Sequence, residues 1–268
     1  MNIDIQNPYL STERRNKFMN TFSYDTFYDR IGKLIGWDFS RIQMTTEGAL
    51  WDYHQKAASL ASDNDLLLDI GTGGGESALA MAQHVQLLIG IDRSPDMIET
   101  ARQRLAHFTQ TNARFFTMDA DELQFPSGMF DLVTCRHAPF QAEEVARVLK
   151  ANGCFVTQQV AEQDKENLKK WFGRGQSYLQ DNGITLLEES SVRLREAGFQ
   201  DIQVYEYDAV EYYKTAQDLF FLLAHTPTIP LFGQVDGDME RFDSFVKEHT
   251  SEKGIRTNAS RFLIVATR

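Results

Sequence analysis

A glycine-rich turn is the part of this sequence with the clearest chemical meaning. It reads Asp69-Ile70-Gly71-Thr72-Gly73-Gly74-Gly75-Glu76 and follows a short apolar run, Asp65–Ile70. Glycines let the backbone approach a bound nucleotide closely, because no Cβ intervenes and φ is unrestricted. No Gly-Lys-Ser/Thr follows, which excludes a P-loop, and the sixth position counted from Gly71 is Glu76, where a dinucleotide-binding turn has glycine. The turn therefore favours a nucleotide cofactor without phosphates over NAD.

Acidic residues end the next two predicted strands. Asp92 closes the strand Leu87–Ile91, and Asp119 closes the strand Arg114–Met118. A carboxylate at the first of these positions can accept hydrogen bonds from both hydroxyls of a ribose. The alternative interpretation is that both residues only cap helices or turns.

A polar turn follows the fourth predicted strand, Phe130–Cys135, and reads Cys135-Arg136-His137-Ala138-Pro139-Phe140. His137 can act as a general base toward a hydroxyl or orient a substrate. It can equally be a simple hydrogen-bonding residue. Arg136 can pair with an acidic group of a substrate or with the cluster Asp119/Asp121/Glu122, and we favour the cluster. Cys135 is most simply a small buried hydrophobic residue.

The elements that must position these residues alternate regularly. Helices are predicted at Glu76–His84, from Pro95 to about His107 and at Gln141–Lys150, and a fifth strand at Cys154–Val160. Such alternation is typical of a parallel sheet with helices on both faces. Later elements are a polar helix (Asp164–Leu179), a helix (Leu186–Ala197) and two strands (Ile202–Tyr207 and Arg261–Thr267).

The series of motifs resembles class I S-adenosylmethionine-dependent methyltransferases. Asp69-x-Gly71-x-Gly73-x-Gly75 looks like the first motif of the family, and Met118-Asp119-Ala120 looks like its Gly-Asp-Ala. The stretch from Phe125 to Val133 matches the family's entry into its fourth strand. Val148–Gly153 resembles R-V-L-K-P-G-G, from which Ala151 and Asn152 depart. The resemblance covers roughly residues 60–160 and the closing strands, and is most like the small-molecule branch that includes quinone-biosynthesis methyltransferases.

The resemblance implies a Rossmann-like α/β fold: a doubly wound, mostly parallel seven-stranded sheet with an antiparallel last strand and helical lid insertions. It implies S-adenosyl-L-methionine as cofactor and S-adenosyl-L-homocysteine as product. Asp92 would take the ribose hydroxyls and Asp119 the adenine amino group. The implied cofactor-binding residues are Asp69, Gly71, Thr72, Gly73, Gly75, Asp92, Arg93, Met97, Asp119, Ala120 and Cys135. His137 and Arg136 are the candidate catalytic residues, and the remaining histidines show no metal-ligand spacing.

Composition narrows the classes of partner. The 268 residues carry a formal charge of −11, which weighs against binding to nucleic-acid phosphates. Two cysteines cannot form a disulfide framework, and the first residues lack the apolar segment of a signal peptide, so we expect a cytoplasmic protein. The longest apolar run, Leu219 to Ala224, is too short to span a membrane.

Aromatic residues concentrate in two regions, Phe22–Tyr53 and Tyr205–Phe245. We expect one domain over residues 1–268, with a core at about 60–160, 184–207 and 259–268. A lid formed by residues 1–50, 161–183 and 208–258 would close over the cofactor and bind the substrate. Alternatively, these rings serve core packing or dimerisation. The rings proposed to line the substrate pocket are those of Tyr24, Tyr28, Trp37, Trp171, Tyr212 and Phe232.

The favoured function is methyl transfer to a small, partly apolar or aromatic molecule by a monomer or homodimer. An RNA or protein methyltransferase and a non-catalytic S-adenosylmethionine-binding protein are the alternatives. The turn at His137-Ala138-Pro139-Phe140 lacks the amide or carboxylate and the first proline of Asn/Asp-Pro-Pro-Tyr/Phe, which argues against methylation of nucleobases or glutamine. A nicotinamide-linked oxidoreductase is the least favoured reading.

Overall fold

A sheet of nine strands, counted within the described residues, forms the centre of the protein. The computed structural model describes residues 23–35, 38–109, 112–177 and 183–268. The strands are β1 Met44–Glu47, β2 Leu66–Ile70, β3 Leu87–Asp92, β4 Ala113–Thr117, β5 Phe130–Arg136, β6 Leu149–Val160, β7 Gln200–Tyr213, β8 Thr250–Ser251 and β9 Gly254–Thr267. Their order is β1-β7-β9-β6-β5-β2-β3-β4, and β8 pairs with β9.

Helices cover both faces of the sheet, which confirms the predicted α/β fold. They are α1 Tyr24–Ile35, α2 Tyr53–Ala58, α3 Glu76–Met81, α4 Pro95–Ala106, α5 Ala142–Val148, α6 Glu166–Phe172, α7 Leu186–Glu196, α8 Ala216–His225 and α9 Asp238–His249. Buried side chains of α2, α3 and α4 pack on one face, and those of α5 and α7 pack on the other. None of these helices is long and apolar enough to cross a membrane, within the part of the chain that the structure describes.

The five parallel strands bring the polar turns to one edge of the sheet. Ile70 at the end of β2 is level with Ile91 in β3 and with Cys135 in β5. The next residues along the chain are therefore Gly71, Asp92 and Arg136. Because parallel strands end on the same side, three turns that are far apart in sequence meet at this edge.

The antiparallel half of the sheet is larger than predicted. β9 runs antiparallel to β6 as expected, but β7 and β9 are each 14 residues long and pair almost throughout. The predicted strands ended at Tyr207 and began at Arg261, so the predicted insertion of 208–258 starts inside β7 and ends inside β9. The seven predicted strands are present, and the count of nine arises because β1 and β8 are added. β1 is a fully exposed four-residue edge strand, Met-Thr-Thr-Glu, which has no apolar alternation by which to predict it.

The region between β7 and β9 has its own apolar core. Leu168 and Phe172 of α6 pack against rings and aliphatic side chains of α8, α9 and their connecting loop. We call α6, α8, α9 and that loop, residues 226–237, the cap. Among the described residues, α6 covers only Glu166–Phe172 of the polar helix predicted at Asp164–Leu179.

Candidate functional site

A cavity of about 560 Å³ lies at the carboxyl ends of β2, β3, β4 and β5. The glycine turn forms its floor beside the loops that begin at Asp92 and Met118. The turn after β5 contributes a further side, and Tyr28 of α1 and His54 of α2 line it from outside the sheet. The position agrees with the general rule that open α/β sheets bind ligands beyond the carboxyl ends of their strands.

The glycine turn is shaped by contacts that leave no room for a side chain. The amides of Gly71 and Thr72 both donate to the carbonyl of Ile91, which holds the turn against β3. Gly71 has φ +71°, and a Cβ placed there would overlap the Cβ of Ala138. This tight cradle fits a nucleoside cofactor that needs close backbone approach.

Asp92 ties the turn to the neighbouring strand. Its Oδ2 accepts a 2.9 Å hydrogen bond from the amide of Gly73, and its Oδ1 accepts one of 2.9 Å from the amide of Ser94. Burial raises the pKa of this carboxyl group, while the two amide hydrogen bonds act in the opposite direction. Each carboxylate oxygen can accept more than one hydrogen bond, so both retain capacity for ribose hydroxyls.

Two further carboxyl groups line the cavity. Asp69 is buried and its Oδ1 accepts a 2.7 Å hydrogen bond from the hydroxyl of Thr134, while burial raises its pKa to about 6. Asp119 uses Oδ1 to accept from the amide of Asp121 at 3.0 Å, within the loop after β4. The cavity wall along β2, β3 and β4 is therefore rich in carboxylates, which suits a positively charged ligand.

The structure brings together nine of the eleven predicted cofactor residues. Those that line the cavity are Asp69, Gly71, Thr72, Gly73, Asp92, Arg93, Met97, Asp119 and Ala120. Gly75 instead lies at the start of α3, where an added Cβ would come within 3.1 Å of Ala101 and 3.3 Å of Phe115. Cys135 is buried below the cavity; its thiol donates to the carbonyl of Ala138 at 3.2 Å, and burial raises its pKa to about 12.

His137 reaches the cavity through an unusual backbone conformation. Its φ is +55°, its amide donates to the carbonyl of Gln158, and its ring lines the cavity. Gln158 Oε1 accepts a hydrogen bond from Trp51 Nε1 at 2.8 Å. The amide NH2 group of Gln158 is therefore the group that lies 3.1 Å from His137 Nε2. An amide NH2 group only donates, so Nε2 of His137 is the acceptor and the proton of the neutral ring lies on Nδ1. Burial and then the charge of Arg136 hold the pKa of His137 well below its ordinary value, so the ring is neutral.

Arg136 does not pair with the acidic cluster as predicted. Asp121 accepts from the side chain of Gln141, and among the described residues no carboxylate lies within ion-pair distance of the Arg136 guanidinium. The guanidinium carbon lies 5.6 Å from the ring centre of Tyr53, and Nε is buried without a hydrogen-bond partner. The difference has a topological cause, since side chains alternate across a strand. Thr134 and Arg136 share the face that carries α2, whereas Cys135 points to the other face.

Of the rings predicted to line a substrate pocket, the structure places Tyr28 at the cavity. Phe232 packs in the core of the cap, and Trp171 of α6 donates through Nε1 to the carbonyl of Arg241 in α9. Tyr212 lies in β7 opposite Arg256 of β9, away from the cavity lining. Trp37 and the side chain of Tyr24 lie outside the described residues. The cap rings are directed toward one another because α8 and α9 form an apolar core there.

Some lining residues were not predicted. His54 projects from α2, and its Nδ1 lies 3.4 Å from the hydroxyl oxygen of Ser77, which also lines the cavity. Ser77 sits in the first turn of the helix that follows the glycine turn, so its place is readable from sequence. His54 carries no such signal, because its position depends on how α2 packs against α3.

Comparison with known proteins agrees with this geometry. Residues 67–153 match the family described as methyltransferase domain. The chain is 40% identical over 97 residues to the uncharacterized methyltransferase YcgJ of Bacillus subtilis (strain 168), a match that covers 34% of this chain and 38% of YcgJ. The chain thus spans little more than a third of that relative's length.

A longer match is to the 27-O-demethylrifamycin SV methyltransferase of Amycolatopsis mediterranei (strain S699). The two sequences are 29% identical over 204 residues, and the match covers 66% of this chain and 72% of that protein. The solved structure of the Bacillus YcgJ protein has the same fold, with a TM-score of 0.55 at 24% identity over 80% of this chain and 95% of that one. Residues 67–153 thus match a methyltransferase domain, and the chain shares the fold of the solved YcgJ structure.

Proposed function

We propose that this protein transfers a methyl group from S-adenosyl-L-methionine to a small, partly apolar or aromatic molecule. The observation that carries the proposal is the cavity itself. A glycine cradle, Asp92 and Asp119 meet at its floor, while Tyr28, His54 and His137 line a second region beside them. The name of the Amycolatopsis relative, which acts on a demethylrifamycin, supports a small-molecule acceptor for this chain as well.

The lining residues fit the cofactor by their chemistry. Asp92 would accept hydrogen bonds from the ribose, Asp119 would accept from the adenine amino group, and Asp69 would attract the amino-acid ammonium group. Once bound, S-adenosylmethionine supplies a methyl group activated by its positive sulfonium. The carboxylate-rich wall along β2, β3 and β4 complements that charge.

The protein's own contribution is alignment of the two ligands and exclusion of water. His137 serves as a neutral hydrogen-bond donor through Nδ1, because Gln158 occupies Nε2. A ring held in this way can orient an acceptor oxygen or nitrogen. The strained backbone at His137 fits this role, since such conformations persist where the surrounding structure holds them.

Calorimetric titration with S-adenosylmethionine tests the proposal. We expect Asp92→Ala to weaken binding at least tenfold, because each hydrogen bond that a carboxylate accepts contributes about 1.5–3 kcal/mol. The matched control is Asp131→Ala, which removes a carboxylate that pairs with Lys150 outside the cavity and should leave the affinity unchanged. If the wild-type protein binds neither S-adenosylmethionine nor S-adenosylhomocysteine, the proposed function is wrong.

A further inference from the structure

We propose that the methyl acceptor is an organic acid whose carboxylate pairs with Arg136. The inference rests on the proposed function, since it names the class of molecule that shares the cavity with the cofactor. It starts from Arg136, a half-buried cation in the cavity wall that has no counter-ion among the described residues.

Arg136 differs from three enclosed cations of the described chain that have carboxylate partners, and from the buried Lys169, whose Nζ donates to the carbonyl of Glu162. Lys165 Nζ lies 2.6 Å from Glu211 Oε2, Arg174 Nη2 lies 2.6 Å from Asp238 Oδ2, and Arg261 pairs with Asp164. Arg136 has no such partner among the described residues. A charge that is partly removed from water without a partner is costly, so an unpaired, half-buried charge in a cavity wall marks a place where a ligand can supply the missing charge.

The surroundings of Arg136 favour an anion. The phenol oxygen of Tyr53 is buried and has no hydrogen-bond partner within the described structure. Burial, and then the charge of Arg136, lower the pKa values of His54 and His137, so neither ring adds a second charge. A ligand carboxylate would meet the guanidinium and neutral hydrogen-bonding groups at this end of the cavity.

Charge is separated along the cavity. Asp69, Asp92 and Asp119 lie at the ends of β2, β3 and β4, on the side of the glycine turn. Arg136 comes from β5, and its neighbours come from α2, an element outside the glycine-turn motif. This arrangement complements a cationic cofactor on one side and an anionic acceptor on the other. The cofactor also carries a carboxylate, so the experiment must separate the two sources.

The first part of the experiment asks whether Arg136 is structural. Arg136→Met keeps the length of the side chain and removes the charge, and Arg136→Lys keeps the charge. We expect the thermal unfolding midpoint of Arg136→Met to equal or exceed that of the wild type, because the substitution removes an unpaired, half-buried charge. A large fall in the midpoint of Arg136→Met would mean that the guanidinium holds the fold together, and it would overturn the inference.

The second part measures binding to protein saturated with S-adenosylhomocysteine. The probes are benzoate, hexanoate and the amides of these two acids. Their binding is measured by ligand-observed NMR. We expect each acid to bind the wild type at least tenfold more tightly than its amide. Arg136→Met should lose this preference and Arg136→Lys should retain part of it. No preference in the wild type, including no binding of any probe, or an unchanged preference in Arg136→Met would overturn the inference.

The third part identifies the source of the anion. We expect the affinity for S-adenosylhomocysteine to change less than threefold in Arg136→Met. If this affinity falls tenfold or more while the affinity for decarboxylated S-adenosylhomocysteine stays unchanged, Arg136 binds the cofactor's own carboxylate. The assignment of Arg136 to the acceptor would then be wrong. Failure of the wild type to bind S-adenosylhomocysteine at all would instead count against the proposed function.

Discussion

Replacement of Gly71 by alanine tests the central geometric feature of the site. Gly71 has φ +71°, and its missing Cβ is what allows Ala138, in the turn after β5, to pack against the glycine turn. The two turns come from neighbouring strands, so the contact joins the ends of β2 and β5. We expect Gly71→Ala to destabilise the protein and to lower its affinity for S-adenosylmethionine.

The expected magnitude has two parts. A left-handed conformation costs an L-residue roughly 1–2 kcal/mol, and overpacking costs about 1–3 kcal/mol. Gly128 separates these parts, because its φ is +67° and an added Cβ would meet nothing within 4 Å. Gly128→Ala therefore carries the backbone cost alone. We expect Gly71→Ala to lose about 1–3 kcal/mol more of unfolding free energy than Gly128→Ala.

Urea unfolding, monitored by tryptophan fluorescence, gives the free energy of unfolding of both variants. The double variant Gly71→Ala/Ala138→Gly supplies a second check, because it removes the methyl group that the new Cβ would overlap. We expect the double variant to recover the excess cost, with a coupling energy of about 1–3 kcal/mol. If Gly71→Ala costs no more than Gly128→Ala, or if Ala138→Gly gives no rescue, the reasoning about the cradle is refuted.

Two further predictions concern buried charges. Burial raises the pKa of Asp69 to about 6. The folded state therefore holds this proton more tightly than the unfolded state. The wild type should lose about 2 kcal/mol of stability relative to Asp69→Asn as pH rises from 4 to 7. Urea unfolding across that range checks it, and a constant difference between the two proteins would contradict it. Lys165→Met should cost about 3–5 kcal/mol of unfolding free energy, because it leaves Glu211 buried without its cation. Lys170→Met breaks the exposed pair with Glu166 and should cost at most about 1 kcal/mol, so equal losses in the two variants would refute the argument.

Much of the glycine-turn side of the cavity was predictable because its signals are local. Consecutive apolar residues specify the buried strand β2, and the glycines that follow specify a turn into a helix. Asp92 and Asp119 end the next strands of the series, and parallel strands necessarily end on the same edge. Residues that line this wall could therefore be named without knowing which distant segments pack together.

The side of the cavity formed by Arg136 and α2 could be known only from the tertiary structure. Arg136 could be assigned to either of two partners from the sequence. Only strand alternation together with the packing of α2 shows that it faces Tyr53 and that no carboxylate of the described residues lies within ion-pair distance. The length of β7 was equally hidden, because Glu211 is a charged residue in a buried position. Its partner Lys165 lies 46 positions earlier in the chain, and such a pairing leaves no local pattern. Local sterics and hydrophobic periodicity depend on residues that are neighbours in the sequence. The pairing of buried charges and the direction in which aromatic rings pack depend instead on contacts between distant segments.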